Sequence, residues 1–248
     1  MNNIILFDID GTLSTNGIIP ESAKRTLREL RLNGNIVMLA TGRSLGMLKD
    51  ILSEVEVDGA ILNNGAYAIL DNKEIYSSPI DKKIIEKMLI DKLNVAALLK
   101  NAFVSFKADK VFKVFCDYFK IDLPKLTDIS ILDNNPAYSL GVYAFEPDLI
   151  NQEKYGLKFV KVNKWGFDVM NKGISKASPF NSLKELYKGY KIIAFGDNYN
   201  DLEMLMEADI SVAMGSAPDD IKRVASYVTK NCLEDGIEYA VKELIKLI

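Results

Sequence analysis

Four short stretches of this chain place reactive side chains just after an apolar run. The first is Asp8-Ile9-Asp10-Gly11-Thr12-Leu13, which follows Ile4-Ile5-Leu6-Phe7. Four apolar residues in a row read as a short buried strand, and the glycine lets the chain turn sharply after it. Residues i and i+2 of a pleated strand lie on one side, so Asp8 and Asp10 can point at a common centre. Two carboxylates held that close repel, and a divalent cation or a proton must stabilise them. An all-oxygen site of this kind suits Mg²⁺. The same residues also describe a plain turn with a helix cap. A calcium loop fits poorly, because residues 13–19 bring no closing Glu.

Three further segments repeat the theme. Ile36-Val37-Met38-Leu39-Ala40 leads into Thr41-Gly42-Arg43-Ser44. A hydroxyl and free backbone N–H groups at a helix start make a phosphate cradle, with Ser44 as a possible cap. Taken by itself, the segment is better explained as an ordinary strand–turn–helix junction. Lys191-Ile192-Ile193-Ala194-Phe195-Gly196 runs into Asp197-Asn198-Tyr199-Asn200-Asp201. If Asp201 opens a helix, the four-residue spacing lets both acids face the strand end, although Asp201 could equally be a simple N-cap. Finally, Lys172-Gly173-Ile174-Ser175-Lys176 offers a lysine that can set a point charge on a phosphate, a weak signal because most lysines are solvated.

The elements that must carry these residues alternate along the chain. Strands are expected at residues 3–7, 35–40, 59–62, 191–196 and 210–213. Amphipathic helices are expected near 22–33, 44–52, 201–208 and 217–225, with a last one near 237–247. Such alternation implies a doubly wound, mainly parallel α/β sheet, whose ligands bind beyond the carboxyl ends of the strands where strand order reverses. Every motif above sits at such an end. Residues 81–165 break the alternation and read as an inserted α/β cap, leaving 1–80 and 166–248 as the core. Within the insert, helices are expected near 81–99 and 109–119, and strands at 129–132, 138–145 and 157–162. The insert holds 14 Lys against 11 acidic residues, a net +3, so its flanks carry −6 of the chain's −3. A basic cap over an acidic core suits an anionic substrate, though most of these lysines serve solubility.

Composition sets limits. A chain of 248 residues at 48% hydrophobic can bury a full core, and its small net charge favours neither nucleic acid nor a membrane surface. No 18-residue apolar stretch exists to span a bilayer, and Asp8 and Asp10 interrupt any signal-peptide pattern. Cys116 and Cys232 have no metal-site spacing, so reduced thiols in the cytoplasm are expected. The absence of histidine leaves proton transfer to carboxylates.

Taken together, the four motifs resemble those of the haloacid dehalogenase superfamily of phosphoryl-transfer enzymes. Asp8-x-Asp10-Gly11-Thr12-Leu13 is similar to its first motif, Thr41-Gly42-Arg43 to the second, Lys176 to the third and Gly196-Asp197-Asn198-x-Asn200-Asp201 to the fourth. Asn63-Asn64-Gly65-Ala66, Val212-Ala213-Met214-Gly215 and Glu234-Asp235-Gly236 resemble the Cof-type branch with a type IIB cap. Ala177 stands where that branch usually has glycine, and Lys172 is a rival to Lys176 with a poorer fit.

The resemblance implies a Mg²⁺-dependent phosphatase of small phosphomonoesters, with sugar phosphates first among them. It implies Asp8 as the nucleophile that forms an aspartyl-phosphate and Asp10 as the acid/base. Mg²⁺ would be held by Asp8, Asp197, the backbone carbonyl of Asp10, and Asp201 directly or through water. Thr41, Gly42, Lys176 and Asn200 would hold the phosphoryl oxygens, and Arg43 and Asn64 would contact substrate. A phosphomutase or phosphotransferase uses the same residues, and a non-catalytic phosphate-binding module is the alternative from another class. Lys107, Lys110, Tyr138, Tyr143 and Trp165 are candidate substrate-selecting residues of the cap.

Overall fold

The computed structural model describes residues 2–107, 110–119 and 123–247. By compactness the chain divides into two units. The first comprises residues 1–43, 48–76 and 175–248, and the second residues 44–47 and 77–174.

Among the described residues, the first unit is built on an eight-stranded sheet. Its strands are β1 (Asn3–Phe7), β2 (Ile36–Ala40), β3 (Gly59–Leu62), β4 (Tyr67–Leu70) and β5 (Lys73–Ser77), which precede the insertion. β12 (Lys191–Gly196), β13 (Ile210–Ala213) and β14 (Tyr227–Val228) follow it. Their order is β14-β13-β12-β1-β2-β3-β4-β5. β1 pairs in parallel with β12 on one side and β2 on the other, so strand order reverses between β1 and β12. All five β1 residues are buried, as the continuous apolar run of a central parallel strand requires. Phe7 and Phe195 stack across the β1–β12 pair at 4.7 Å between ring centroids.

The helices of this unit are α1 (Glu21–Leu32), α2 (Lys49–Glu54), α5 (Phe180–Leu186), α6 (Leu202–Glu207), α7 (Asp219–Val224) and α8 (Gly236–Tyr239). α1 buries Ala23, Thr26, Leu27 and Leu30, the one-face spacing of a surface helix. One apolar layer joins Ile4, Leu6, Met38, Ile192 and Ala194 of the sheet to Phe180, Leu183, Met204, Leu205 and Ile221 of α5, α6 and α7.

The second unit is a six-stranded sheet among the described residues, in the order β10-β11-β9-β6-β7-β8. Its strands are β6 (Asn94–Leu99), β7 (Phe103–Ser105), β8 (Lys125–Leu126), β9 (Ala137–Tyr143), β10 (Lys158–Asn163) and β11 (Gly166–Met170). α3 (Lys82–Ile90) sets Ile85 and Met88 against Val95, Ala97, Leu140, Val142, Phe167 and Val169 on one face. α4 (Lys110–Phe119) sets Val111, Phe112 and Cys116 against Ala96 and Tyr143, the alternate positions that face the other way. Where the chain enters and leaves this unit, the Asn171 side-chain amide donates to the Ser78 and Pro79 carbonyls at 3.2 and 3.1 Å.

Several expectations need correction. β11 pairs with β9 and β10, so residues 166–174 lie in the second unit and not in the core as the boundary at 165 implied. The helix expected over 81–99 ends at Ile90, and Asn94–Leu99 is a strand zipped between β9 and β7. Ala and Leu favour helix locally, but pairing on both edges overrides that preference. Residues 129–132 form a 3₁₀ turn instead of a strand, because the Asp128 carboxylate accepts the Ser130 N–H at 2.9 Å and caps it. Asp109, at the expected start of the next helix, lies outside the described residues. No helix among the described residues is long and apolar enough to cross a membrane.

Phe7 is fully buried at the centre of the first sheet. Replacing it with Ala should cost about 4 kcal/mol, measured as a lowered midpoint of urea unfolding. A cost below about 1 kcal/mol would contradict this packing.

Candidate active site

The three carboxylates of Asp8, Asp197 and Asp201 converge where strand order reverses. One oxygen of each lies within 4.8 Å of the others. Parallel pairing of β1 with β12 brings the first two together: Phe7 is in register with Phe195, and the Asp8 N–H donates to the Phe195 carbonyl at 3.0 Å. Gly11 makes the close approach possible. Its φ is +97°, and a Cβ there would come within 2.2 Å of the Asp197 carboxylate. Thr12, which sequence reasoning passed over, is fully buried and donates its hydroxyl to Asp197 Oδ1 at 2.9 Å. Its place beside Gly11 was visible in the sequence, but its partner lies 185 residues away.

Asp201 does not cap the helix that follows it. Its Oδ2 reaches back to accept the Asp197 and Asn198 N–H groups at 2.9 and 3.1 Å, which ties the loop after β12 into a fixed turn. Its Oδ1 accepts from Lys176 Nζ at 2.5 Å. The same ammonium donates to Asp8 Oδ1 at 2.6 Å. Lys176 and Asp201 are both at 0% exposure and Asp8 at 5%. Lys172 is exposed, so Lys176 is the lysine that joins the carboxylates.

These charges are coupled. Burial pushes the Asp8 carboxyl up to about 8; the Lys176 ammonium opposes this and the Asp201 and Asp197 charges add to it. Burial likewise raises Asp197, against the Thr12 hydrogen bond. Burial works against the Lys176 ammonium, but Asp8 and Asp201 overcome it and hold its pKa above the ordinary value. One ammonium therefore serves three acids, and the cluster is short of positive charge. Three carboxylates with no nitrogen or sulfur donor among them fit a hard divalent cation.

The remaining predicted residues surround this centre. Asp10 is 63% exposed and is not one of the clustered acids; both of its oxygens are taken by Arg43, Nη2 at 2.6 Å and Nε at 3.0 Å. Thr41 is buried, and its hydroxyl oxygen accepts the Arg43 N–H at 3.2 Å, leaving the hydroxyl proton to donate elsewhere. Asn64, at φ +52°, lies next to Gly42 and accepts from the Asn200 amide at 3.2 Å, so these three predicted residues come together. Ser44 does not cap a helix. Its hydroxyl is buried without a hydrogen bond, and α2 starts five residues later, at Lys49.

Two outcomes follow from the buried charges. With the folded-state pKa of Asp8 above its ordinary 3.8, the folded chain holds that proton more tightly than the unfolded one. Stability from it is present at low pH and is lost as pH rises through about 8. A divalent cation held by these carboxylates would displace the proton, so the thermal shift it produces should be larger at pH 8 than at pH 6. Lys176→Met should cost about 3–5 kcal/mol without metal, because two buried carboxylates lose their counter-charge. That loss should shrink on going from pH 8 to pH 5, measured by thermal unfolding.

Comparison with known proteins shows the family. Residues 5–241 match the family model of the haloacid dehalogenase-like hydrolases. The Bacillus subtilis protein named "Putative phosphatase YkrA" is 32% identical over 98% of both chains. The B. subtilis 5-amino-6-(5-phospho-D-ribitylamino)uracil phosphatase YitU is 27% identical, again over 98% of both. Among solved structures, the phosphatase BT1666 of Bacteroides thetaiotaomicron superposes with a TM-score of 0.86 at 26% identity, covering 100% of this chain and 96% of that one. The subclass IIB sugar phosphatase BT4131 superposes at 0.78 and 26% identity over the whole of both chains. The chain belongs to the haloacid dehalogenase-like hydrolases.

Proposed function

We propose that this chain is a Mg²⁺-dependent phosphatase that removes phosphate from a small, sugar-like phosphomonoester through an aspartyl-phosphate on Asp8. The observation that carries this reading is the buried Lys176 ammonium shared by Asp8 and Asp201 at the strand-order reversal. An isolated structural ion pair needs one acid; a third carboxylate within 4.8 Å makes sense where a cation is to be held. The relatives support the substrate class, since those with a specific name act on phosphorylated small organic molecules.

Asp8, Asp197 and Asp201 would hold Mg²⁺, with the Asp10 backbone carbonyl beside them. When bound, the cation would screen the repulsion between the Asp8 carboxylate and the phosphate, and the charge that grows on the transferred group. The free Asp8 oxygen attacks phosphorus as the bond from phosphorus to the leaving oxygen breaks. Asp10 gives that oxygen a proton, and then takes one from the water that attacks the aspartyl-phosphate and frees phosphate. Lys176 fixes the Asp8 carboxylate so that one oxygen faces the substrate. The Thr41 hydroxyl, the Gly42 N–H, Lys176 and Asn200 hold phosphoryl oxygens, which is the positioning that dominates phosphoryl transfer. Arg43 and Asn64 contact substrate; Arg43 must then loosen its grip on Asp10. The second unit serves as the cap that selects the leaving group.

The test is phosphate release from a panel of small phosphomonoesters, with Mg²⁺ and with EDTA. Wild-type protein should release phosphate only with the cation, and Asp8→Asn should lower turnover by more than about 10³-fold while remaining folded. Asp10→Asn should slow both half-reactions. Near-normal turnover by Asp8→Asn would remove Asp8 as nucleophile, and phosphate found on an added alcohol would indicate transfer in place of hydrolysis.

A further inference from the structure

Asn63-Asn64-Gly65-Ala66 turns the chain from β3 into the antiparallel β4, whose Tyr67 pairs with Leu62. Asn63, Asn64 and Gly65 stand at φ +50°, +52° and +97°, three left-handed residues in succession. Side chains disfavour that region, and asparagine is among those that tolerate it best. Four-residue hairpin loops are most often built on an ordinary type I turn, so this winding is held by what it touches.

It touches every group assigned above to the phosphoryl oxygens. The Asn64 N–H donates to the Thr41 carbonyl at 3.0 Å, and the Asn63 N–H donates to the Arg43 carbonyl at 3.1 Å. Gly42 lies between them against the Asn64 amide, where a Cβ on it would meet that amide at 3.1 Å. Asn64 Oδ1 accepts from the Asn200 amide at 3.2 Å. Gly65 backs onto Ser175 and Lys176. A Cβ on it would overlap the Ser175 carbonyl oxygen and lie 3.0 Å from the Lys176 backbone nitrogen. That carbonyl cannot swing aside freely. The Ser178 N–H donates to it at 2.9 Å, and the Ser178 hydroxyl accepts the Ser175 N–H at 2.9 Å.

The clustered acids are held by other means. The described hydrogen bonds of the Asp8, Asp197 and Asp201 side chains run to Lys176, to Thr12, to one another and to N–H groups of the loop after β12. One turn therefore reaches the phosphate-holding groups and makes no described hydrogen bond to the carboxylates.

Asn63 is the odd member of the turn. It has no exposed surface, and neither its side-chain oxygen nor its nitrogen has a hydrogen-bond partner among the described residues. A buried amide without partners is costly, so a leucine of nearly the same shape would be cheaper on burial grounds alone. The left-handed backbone is what leucine supplies poorly.

We propose that the Asn63–Gly65 turn is the positioning element of the phosphate cradle. Asn63 keeps the turn left-handed, and Gly65 gives the Lys176 backbone its seat; both act through the residues they place. That the cradle receives a substrate's phosphoryl group rests on the phosphatase reading above. That the turn seats Lys176 does not.

Two measurements separate these parts. The first titrates inorganic phosphate in the presence of Mg²⁺, and Mg²⁺ alone, into wild type, Asn63→Gly and Asn63→Leu by calorimetry. Asn63→Leu should weaken phosphate binding about tenfold or more while Mg²⁺ affinity stays within about twofold. Asn63→Gly keeps the left-handed backbone and should bind phosphate within about twofold of wild type, a rescue that side-chain volume would not give. Unchanged phosphate affinity in Asn63→Leu, equal losses in both variants, or a parallel loss of Mg²⁺ overturns the proposal.

The second measurement follows acetylation of lysines by acetic anhydride, read peptide by peptide in a mass spectrometer, with exposed Lys172 as internal reference. Lys176 should be protected in wild type and Asn63→Gly, and labelled about tenfold faster or more in Gly65→Ala. Asn63→Leu should move in the same direction, which keeps the test decisive where Gly65→Ala does not fold. Protection of Lys176 in the folded variants equal to that in wild type overturns its seating by the turn. If wild type binds no phosphate while labelling follows the turn, the phosphatase reading fails and the seating of Lys176 stands.

Discussion

Everything at the candidate site depends on one buried ammonium. Lys176, with no exposed surface, lies within 2.6 Å of Asp8 and 2.5 Å of Asp201. Without it, burying two carboxylates at that spacing would cost more than the surrounding packing could return. With it, the pair is tolerable but still short of positive charge once Asp197 joins them. The protein thus holds a site that is stable enough to fold and unsatisfied enough to bind a cation. That balance explains why Asp8 is buried yet keeps one oxygen outside the grip of Lys176.

The scaffold holds this balance through backbone geometry. Parallel pairing sets Asp8 against the loop after β12, a glycine at φ +97° lets that loop come close, and Asp201 folds back onto the N–H groups of Asp197 and Asn198. Each of these is a short-range constraint, and together they fix acids drawn from opposite ends of the chain. The Asp10–Arg43 pair stands apart from the centre and is open to solvent. Asp10 is thus held by a part-exposed guanidinium, an accessible carboxylate beside the enclosed Asp8.

Much of the core was legible because central parallel strands are buried on both faces and read as unbroken apolar runs. Residues 3–7, 59–62, 191–196 and 210–213 appear as strands with the expected limits. The acidic pair and the fourth motif stood out for the same reason, each following such a run. Lys176 was weak in the sequence because its role depends on partners 168 and 25 residues away, and Thr12 was missed on similar grounds. The insertion was harder. Its strands pair antiparallel, alternate faces and mix Ala and Leu with polar residues, so Asn94–Leu99 looked helical until its neighbours were known. Ser44 looked like a cap, but the backbone turns for several more residues before α2 begins.

The central claim is that Asp8 becomes covalently phosphorylated, and borohydride trapping tests it most directly. The enzyme is mixed with substrate and Mg²⁺, quenched in acid within milliseconds, reduced and digested. An acyl-phosphate at Asp8 is reduced to homoserine, so the account predicts homoserine at position 8 during turnover and none without substrate. Active enzyme that yields an unmodified Asp8, or homoserine at Asp10 instead, would contradict it.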